Sequence, residues 1–186
     1  MLGGVVTIWS MLNLNGKVVL GTIFLLALVS GMLASPTLGA TPVNRNFFAH
    51  LSGETWTSKI SGATYTIDTQ AQGQAIFHVS KDGQSIEFVL IAANIENITM
   101  AHIHVDDGAV VGPIVVWLYP RTPPLQLIPG RFDGILAKGT ITAADLAGVM
   151  AGMTINDLVN KMSEGLTYVV VHTSQHPPGE IRAFIR

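Results

Sequence analysis

The chain has 186 residues, a formal charge of -2 and charged residues at only 12%. This balance excludes a polyanion-binding surface, which needs clustered Lys and Arg, so nucleic acid is not an expected partner. The length suits one domain plus an appendage, and the absence of Cys removes disulfides, thiolate metal sites and thiol nucleophiles together.

The N-terminus carries an uncharged apolar run from Val18 to Ala34, preceded by Lys17 and followed by Ser35-Pro36-Thr37-Leu38-Gly39-Ala40. A positive flank, an apolar stretch and then small residues read as a secretory signal cleaved after Ala40. The run also approaches the length needed to span a bilayer, so an uncleaved membrane anchor over residues 18–40 is the alternative. Either way residues 41–186 are expected to form the working domain, secreted or otherwise outside the cytoplasmic membrane.

Past Thr41 the chain becomes short runs of β-branched and aromatic residues punctuated by Gly, Pro, Asn and Asp, the pattern of a small β domain. Predicted strands are Asn46–Leu51, Gln74–Ser80, Ser85–Ala92, Thr99–Val105, Pro113–Leu118, Gly134–Thr140, Thr167–Thr173 and Glu180–Arg186. Lys81-Asp82-Gly83 is a hairpin turn, because Asp-Gly tolerates the positive φ of tight turns. Pro120–Pro129 reads as a loop, since Pro cannot sustain a ladder. Between Thr142 and Glu164 two short helices are expected, each opened by a Thr with an Asp three residues on (Thr142/Asp145 and Thr154/Asp157). Gly165 ends the second, whose Leu158, Val159 and Met162 form an apolar packing stripe. The whole predicts an all-β antiparallel sandwich of Greek-key type with a two-helix insertion, behind an N-terminal signal or anchor helix.

The chemistry-bearing residues are the histidines. Side chains alternate along a strand, so His102 and His104 in Met100-Ala101-His102-Ile103-His104 share one face and can converge on one ion. His172 ends the apolar strand Tyr168-Val169-Val170-Val171-His172, at the rim of the sandwich, and three imidazoles meet if the two strands are neighbours. Neutral imidazole suits copper and zinc, and three such ligands with an open position mark reactive sites. The blander reading is a His-x-His on an exposed strand face. Asp106 and Asp107 fit either ligand support or a plain acidic turn. His50 and His78 read as surface residues. His176, in the Gln175–Gly179 loop, is either an additional ligand beside His172 or solvent-facing. Phosphate loops, Gly-x-Ser-x-Gly and His-Glu-x-x-His are all missing, so nucleophilic catalysis has no candidate. Asn97-Ile98-Thr99 matches a glycosylation acceptor.

In chain order, Phe47–Glu54 (FFAHLSGE), Gly73–Ala75, Met100–His104, Val111–Leu118 (VGPIVVWL), Gly139–Leu146 (GTITAADL), Tyr168–Thr173 and Pro178–Arg182 (PGEIR) resemble the CHRD domain, the module named after chordin. The resemblance implies an extracellular β module that, in chordin as a whole, serves growth-factor binding; it supplies no reaction. The histidine pattern is also similar to that of the copper/zinc superoxide dismutases, which implies copper ligands at His102, His104 and His172. The chain departs from that pattern in lacking a bridging histidine with a zinc-ligand run between Val105 and Val171 and in lacking the disulfide. Arg182 is the one candidate for the anion-guiding arginine.

The leading expectation is a non-enzymatic extracytoplasmic binding module with a copper-type site at His102, His104 and His172. Its partner is an unidentified extracellular protein or a small anion. A copper-dependent dismutase-like oxidoreductase is the rival, and a metal-free structural surface domain the third reading. Copper is preferred to zinc by the dismutase likeness and by its place in the affinity order for nitrogen ligands.

Overall fold

The computed structural model describes residues 9–14, 17–22 and 44–186. The chain divides into two units, Met1–Thr41 and Pro42–Arg186. In the first, β1 (Trp9–Leu14) pairs antiparallel with β2 (Lys17–Thr22). The head of the apolar run is therefore strand where a helix is expected. The rest of the signal or anchor segment, residues 23–40, lies outside the described residues. Among the described residues no helix is long and apolar enough to cross a membrane.

The second unit is mostly β, with strands β3 (Asn46–Ser52), β4 (Trp56–Thr57), β5 (Thr64–Tyr65), β6 (Gln72–Val79), β7 (Ser85–Val105), β8 (Ile114–Tyr119), β9 (Ile128–Thr142), β10 (Thr167–Thr173) and β11 (Ile181–Phe184), and one helix, α1 (Ile155–Ser163). All pairings are antiparallel. Following them from β7 through β6, β3, β11 and β10 returns to β7, so the expected sandwich closes into a barrel-like circuit. The early part of β7 also pairs with β9 and the late part with β8. The Asp82-Gly83 turn joins β6 to β7 as expected, with Gly83 at φ 70°.

Strand β7 is the spine of the unit and differs from expectation. The sequence suggests two strands broken after Ala92, whereas the structure has one strand of 21 residues. Asn94 and Asn97 sit at positive φ (54° each), and the register against β9 slips beside both. Asn tolerates this left-handed conformation, so the two bulges bend the strand without ending it. The bend lets one strand serve β6 and β9 first, then β8 and β10. β9 likewise starts earlier than expected, at Ile128, and takes Pro129 from the predicted loop.

The insertion contains one α-helix rather than two. Thr154 and Asp157 form the expected capping box, Asp157 N–H donating to Thr154 Oγ1 (3.3 Å) and Thr154 N–H to Asp157 Oδ2 (2.8 Å). Ile155, Leu158, Val159 and Met162 bury one face, and Gly165 at φ 67° follows the helix end. Thr142 and Asp145 make the equivalent contact, N–H to Oδ2 at 2.8 Å. There, however, the chain yields only two 3₁₀ turns, Ala143–Asp145 and Gly148–Met150. Ala147 is extended, and a Cβ on Gly148 would stand 2.5 Å from the Ile114 carbonyl, so packing against β8 interrupts the helix.

The core lies inside the circuit. Phe47, Phe77, Ile86, Phe88, Leu90, Ile103, Val169, Val171 and Ile181 are buried together. In the paired stretch of β7 and β10 the inward residues are Ala101, Ile103, Val169 and Val171. The outward residues are His102, His104, Tyr168, Val170 and His172, and these too are buried.

Candidate metal centre

The direct pairing of β10 with β7 brings the two histidine blocks together. Tyr168 lies opposite His104, Val170 opposite His102 and His172 opposite Met100. Residues paired across strands share a face, so all three histidines project from the same side. His102, His104 and His172 offer ring nitrogens that all lie within 4.8 Å of one another. The closest approach is His102 Nδ1 to His172 Nε2, at 3.3 Å.

Two imidazoles are held by backbone carbonyls. His104 Nδ1 lies 2.7 Å from Gly112 O, and His172 Nδ1 lies 2.8 Å from Pro177 O. A carbonyl only accepts, so Nδ1 carries the hydrogen in both rings and Nε2 the lone pair; that of His172 accepts from His102 Nδ1, which leaves Nε2 as the unprotonated nitrogen of His102. His104 Nε2 and His102 Nε2 are buried with no hydrogen-bond partner. Gly112 is itself fixed: its N–H donates to Tyr168 Oη (2.7 Å), and a Cβ there would meet the Val105 carbonyl at 2.0 Å. Tyr168 stacks on His104 at 5.3 Å, and Trp117 meets His102 edge-on at 4.2 Å.

The centre lies under a cover rather than on an open rim, and His102, His104 and His172 are 0%, 1% and 3% exposed. Trp56 of the β4–β5 ribbon packs on Tyr168 (4.8 Å) and Phe184 (5.2 Å), and Tyr65 Oη donates to Gly179 O. Asp106 ties the ribbon down by accepting from Ser58 Oγ and Lys59 N–H, both at 2.6 Å. Asp107 accepts from Ala109 N–H. The Asp106–Asp107 pair therefore serves its own turn and the ribbon, in line with the acidic-turn reading.

Burial dominates the electrostatics. It pushes His102 down to about 2, with the neighbouring imidazoles of His172 and His104 adding to the effect. His104 and His172 are each lowered to about 4, again mainly by burial, against the opposing carbonyl bonds. At neutral pH all three rings are uncharged, as metal ligands must be.

The remaining predicted residues fall elsewhere. His50 and His78 are exposed on the outer face of β3 and β6, where His78 Nδ1 contacts Asn46 Oδ1. His176 is half-buried in its loop, outside the cluster of three. Arg182 is buried on the centre's face, opposite Val170. Its guanidinium donates to Val110 O (2.7 Å) and Pro178 O (2.8 Å) and stacks 3.8 Å from the Tyr65 ring centroid. It braces the cover in this arrangement. Sequence reasoning missed Gly112, Pro177, Tyr168 and Trp117. Gly112 stands there only just before the predicted strand Pro113–Leu118, Pro177 only within the Gln175–Gly179 loop, and the two aromatics only as strand residues.

The three nitrogens fit one ion. Two metal–nitrogen bonds of about 2.0–2.1 Å span at most ~4.2 Å, so small ring rotations bring every separation into range. The donor set is three neutral imidazoles, suited to copper or zinc.

The family model described as the CHRD domain matches residues 47–185, from the start of β3 to the penultimate residue. No curated protein and no solved structure matches the chain.

Proposed function

We propose that this chain, which belongs to the CHRD domain family, is an extracytoplasmic binding module whose His102, His104 and His172 hold one copper-type metal ion. The observation that carries the reading is the cluster: three uncharged imidazoles on paired strands, with ring nitrogens within 4.8 Å and two buried nitrogens lacking any partner. Leaving such groups unpaired costs about 1–3 kcal/mol each, an arrangement that a bound ion relieves. Gly112 and Pro177 orient two of the rings, as supporting groups around metal sites do.

Burial favours binding over turnover. With the imidazoles at most 3% exposed, a small anion has little access to an ion held there, and Arg182 is engaged with carbonyls and Tyr65. A bound copper ion would supply one-electron redox chemistry, which makes dismutation the alternative reading. On the leading reading the ion instead fixes the loops at Gly112 and Pro177, and the module presents that surface to an extracellular protein. Export is supported by the family and by the Val18–Ala40 sequence.

The test is elemental analysis of the untagged protein after copper loading and desalting, followed by a superoxide-loss assay. One copper per chain without accelerated superoxide loss supports the reading. Copper at well below one per chain sinks it, and acceleration that disappears with His104→Ala transfers support to the oxidoreductase.

A further inference from the structure

We infer that the three-histidine centre is built for a monovalent soft ion, copper(I) or its analogue silver(I), in preference to zinc(II) or copper(II). This rests on the reading of the three histidines as ligands.

The ligand set carries no charge. Among the described residues no carboxylate joins the three histidines. The acids on neighbouring segments are committed elsewhere. Asp106 holds Ser58 and Lys59, Asp107 caps its own turn, and Glu180 accepts from the Thr69 and Thr173 hydroxyls at 2.7 and 2.8 Å. A divalent ion would therefore enter with its full charge uncompensated.

That charge would have to be buried. The cost of moving an ion from water into a low-dielectric interior grows with the square of its charge, making it about fourfold larger for a dication than for a monocation of equal size. A dication is offset well by carboxylates or thiolates, which this centre lacks. The surroundings are Trp117, Tyr168 and Val170, two aromatics and an aliphatic.

A fixed cation sharpens the discrimination. Arg182 lies opposite Val170, which lies opposite His102, so all three side chains leave the same face of adjacent strands. Its guanidinium is 6.0 Å from the Tyr168 ring, and that ring stacks on His104. Repulsion from this group scales with the charge of the incoming ion and so doubles for a dication. Coordination number points the same way. Zinc completes a set of four ligands, with water in the fourth place where the protein supplies three, and the imidazoles here are at most 3% exposed; copper(I) is satisfied by three nitrogens alone.

The preference runs against the usual order, in which copper(II) leads the divalent ions at exposed nitrogen sites. It is tested by three competition titrations of the full chain. Copper(I) is buffered anaerobically with bicinchoninate, zinc(II) with nitrilotriacetate and copper(II) with glycine, and His104→Ala is run alongside. Copper(I) is expected to bind at least roughly 100-fold more tightly than either dication, two tenfold steps of about 1.4 kcal/mol each. Equal or tighter binding of zinc(II) or copper(II), lost in His104→Ala, overturns the preference while leaving the metal centre standing. Failure of all three ions to bind, or binding unaffected by His104→Ala, removes the centre itself.

Discussion

Strands β7 and β10 present two buried faces that differ in kind. Inward, Ala101, Ile103, Val169 and Val171 join an apolar core and satisfy each other by contact alone. Outward, on alternate residues of the same strands, His102, His104 and His172 are equally inaccessible, yet His102 and His104 each leave Nε2 without a partner. Burial of the first face stabilises the fold, by roughly 25 cal/mol per Å² of apolar surface removed from water. Burial of the second opposes it unless something pairs the imidazoles. One pair of strands thus carries an apolar core on one side and a cluster of buried imidazoles on the other.

Substitutions should separate the two faces. Replacing His104 or His172 by Ala is expected to weaken copper binding at least roughly 1000-fold, about 4 kcal/mol, while thermal unfolding of the metal-free protein stays within a few degrees of the parent. His50→Ala and His78→Ala, both exposed, should leave affinity unchanged. Competition titration with scanning calorimetry reads both quantities. Ile103→Ala, between His102 and His104 but facing inward, should do the reverse, costing about 2–5 kcal/mol in urea unfolding with copper stoichiometry kept at one. If the two kinds of variant have the same phenotype, the distinction between the faces fails.

Acid probes the outer face alone. The three histidines are held below the ordinary value of 6.5, to about 2 for His102 and about 4 for His104 and His172. Above pH 6.5 both folded and unfolded states leave them neutral and stability is at its full value. As pH falls from 6.5 towards 4 the unfolded chain takes up protons that the folded chain refuses. Metal-free stability should then drop by on the order of 2–4 kcal/mol per pH unit in the steepest part. Copper should move the loss to lower pH, since protons must first displace it. Urea midpoints measured from pH 7.5 to 4.5, with and without copper, give the comparison; coincident curves would contradict it.

The smallest expected effect tests the support of the outer face. Tyr168→Phe removes the acceptor for Gly112 N–H, whose carbonyl holds His104. A loss of about 1–2 kcal/mol in stability follows from one unsatisfied buried donor. Copper affinity should fall about 10-fold, at the lower end for a group that orients a ligand. A stability loss with unchanged affinity would make Tyr168 structural only.

The sequence revealed the strands more readily than their surroundings. Thr167–Thr173 was legible to the residue because every position favours an extended chain, and the alternation of His102 and His104 gave their common face. The continuity of β7 was not legible. Asn94 and Asn97 are ordinary turn residues until a neighbouring β9 keeps the ladder running past them. Thr142/Asp145 and Thr154/Asp157 look alike in sequence, and only the close approach of Gly148 to Ile114 separates a pair of 3₁₀ turns from a helix. The cover over the centre was hidden for the same reason. It joins Trp56, Tyr65, Tyr168 and Arg182 across long stretches of chain, so His172, expected at an open rim, lies beneath it. Pairing between distant segments sets such features, and local propensity carries little trace of it.

The central claim, that His102, His104 and His172 bind one ion together, is tested most directly by X-ray absorption at the copper edge on the loaded protein. The structure predicts a shell of three nitrogens at about 2.0 Å with the outer scattering of imidazole rings, and loss of that shell in His172→Ala. A shell dominated by oxygen, or a spectrum unchanged by that substitution, would show that the ion resides elsewhere and that the three histidines are simply buried.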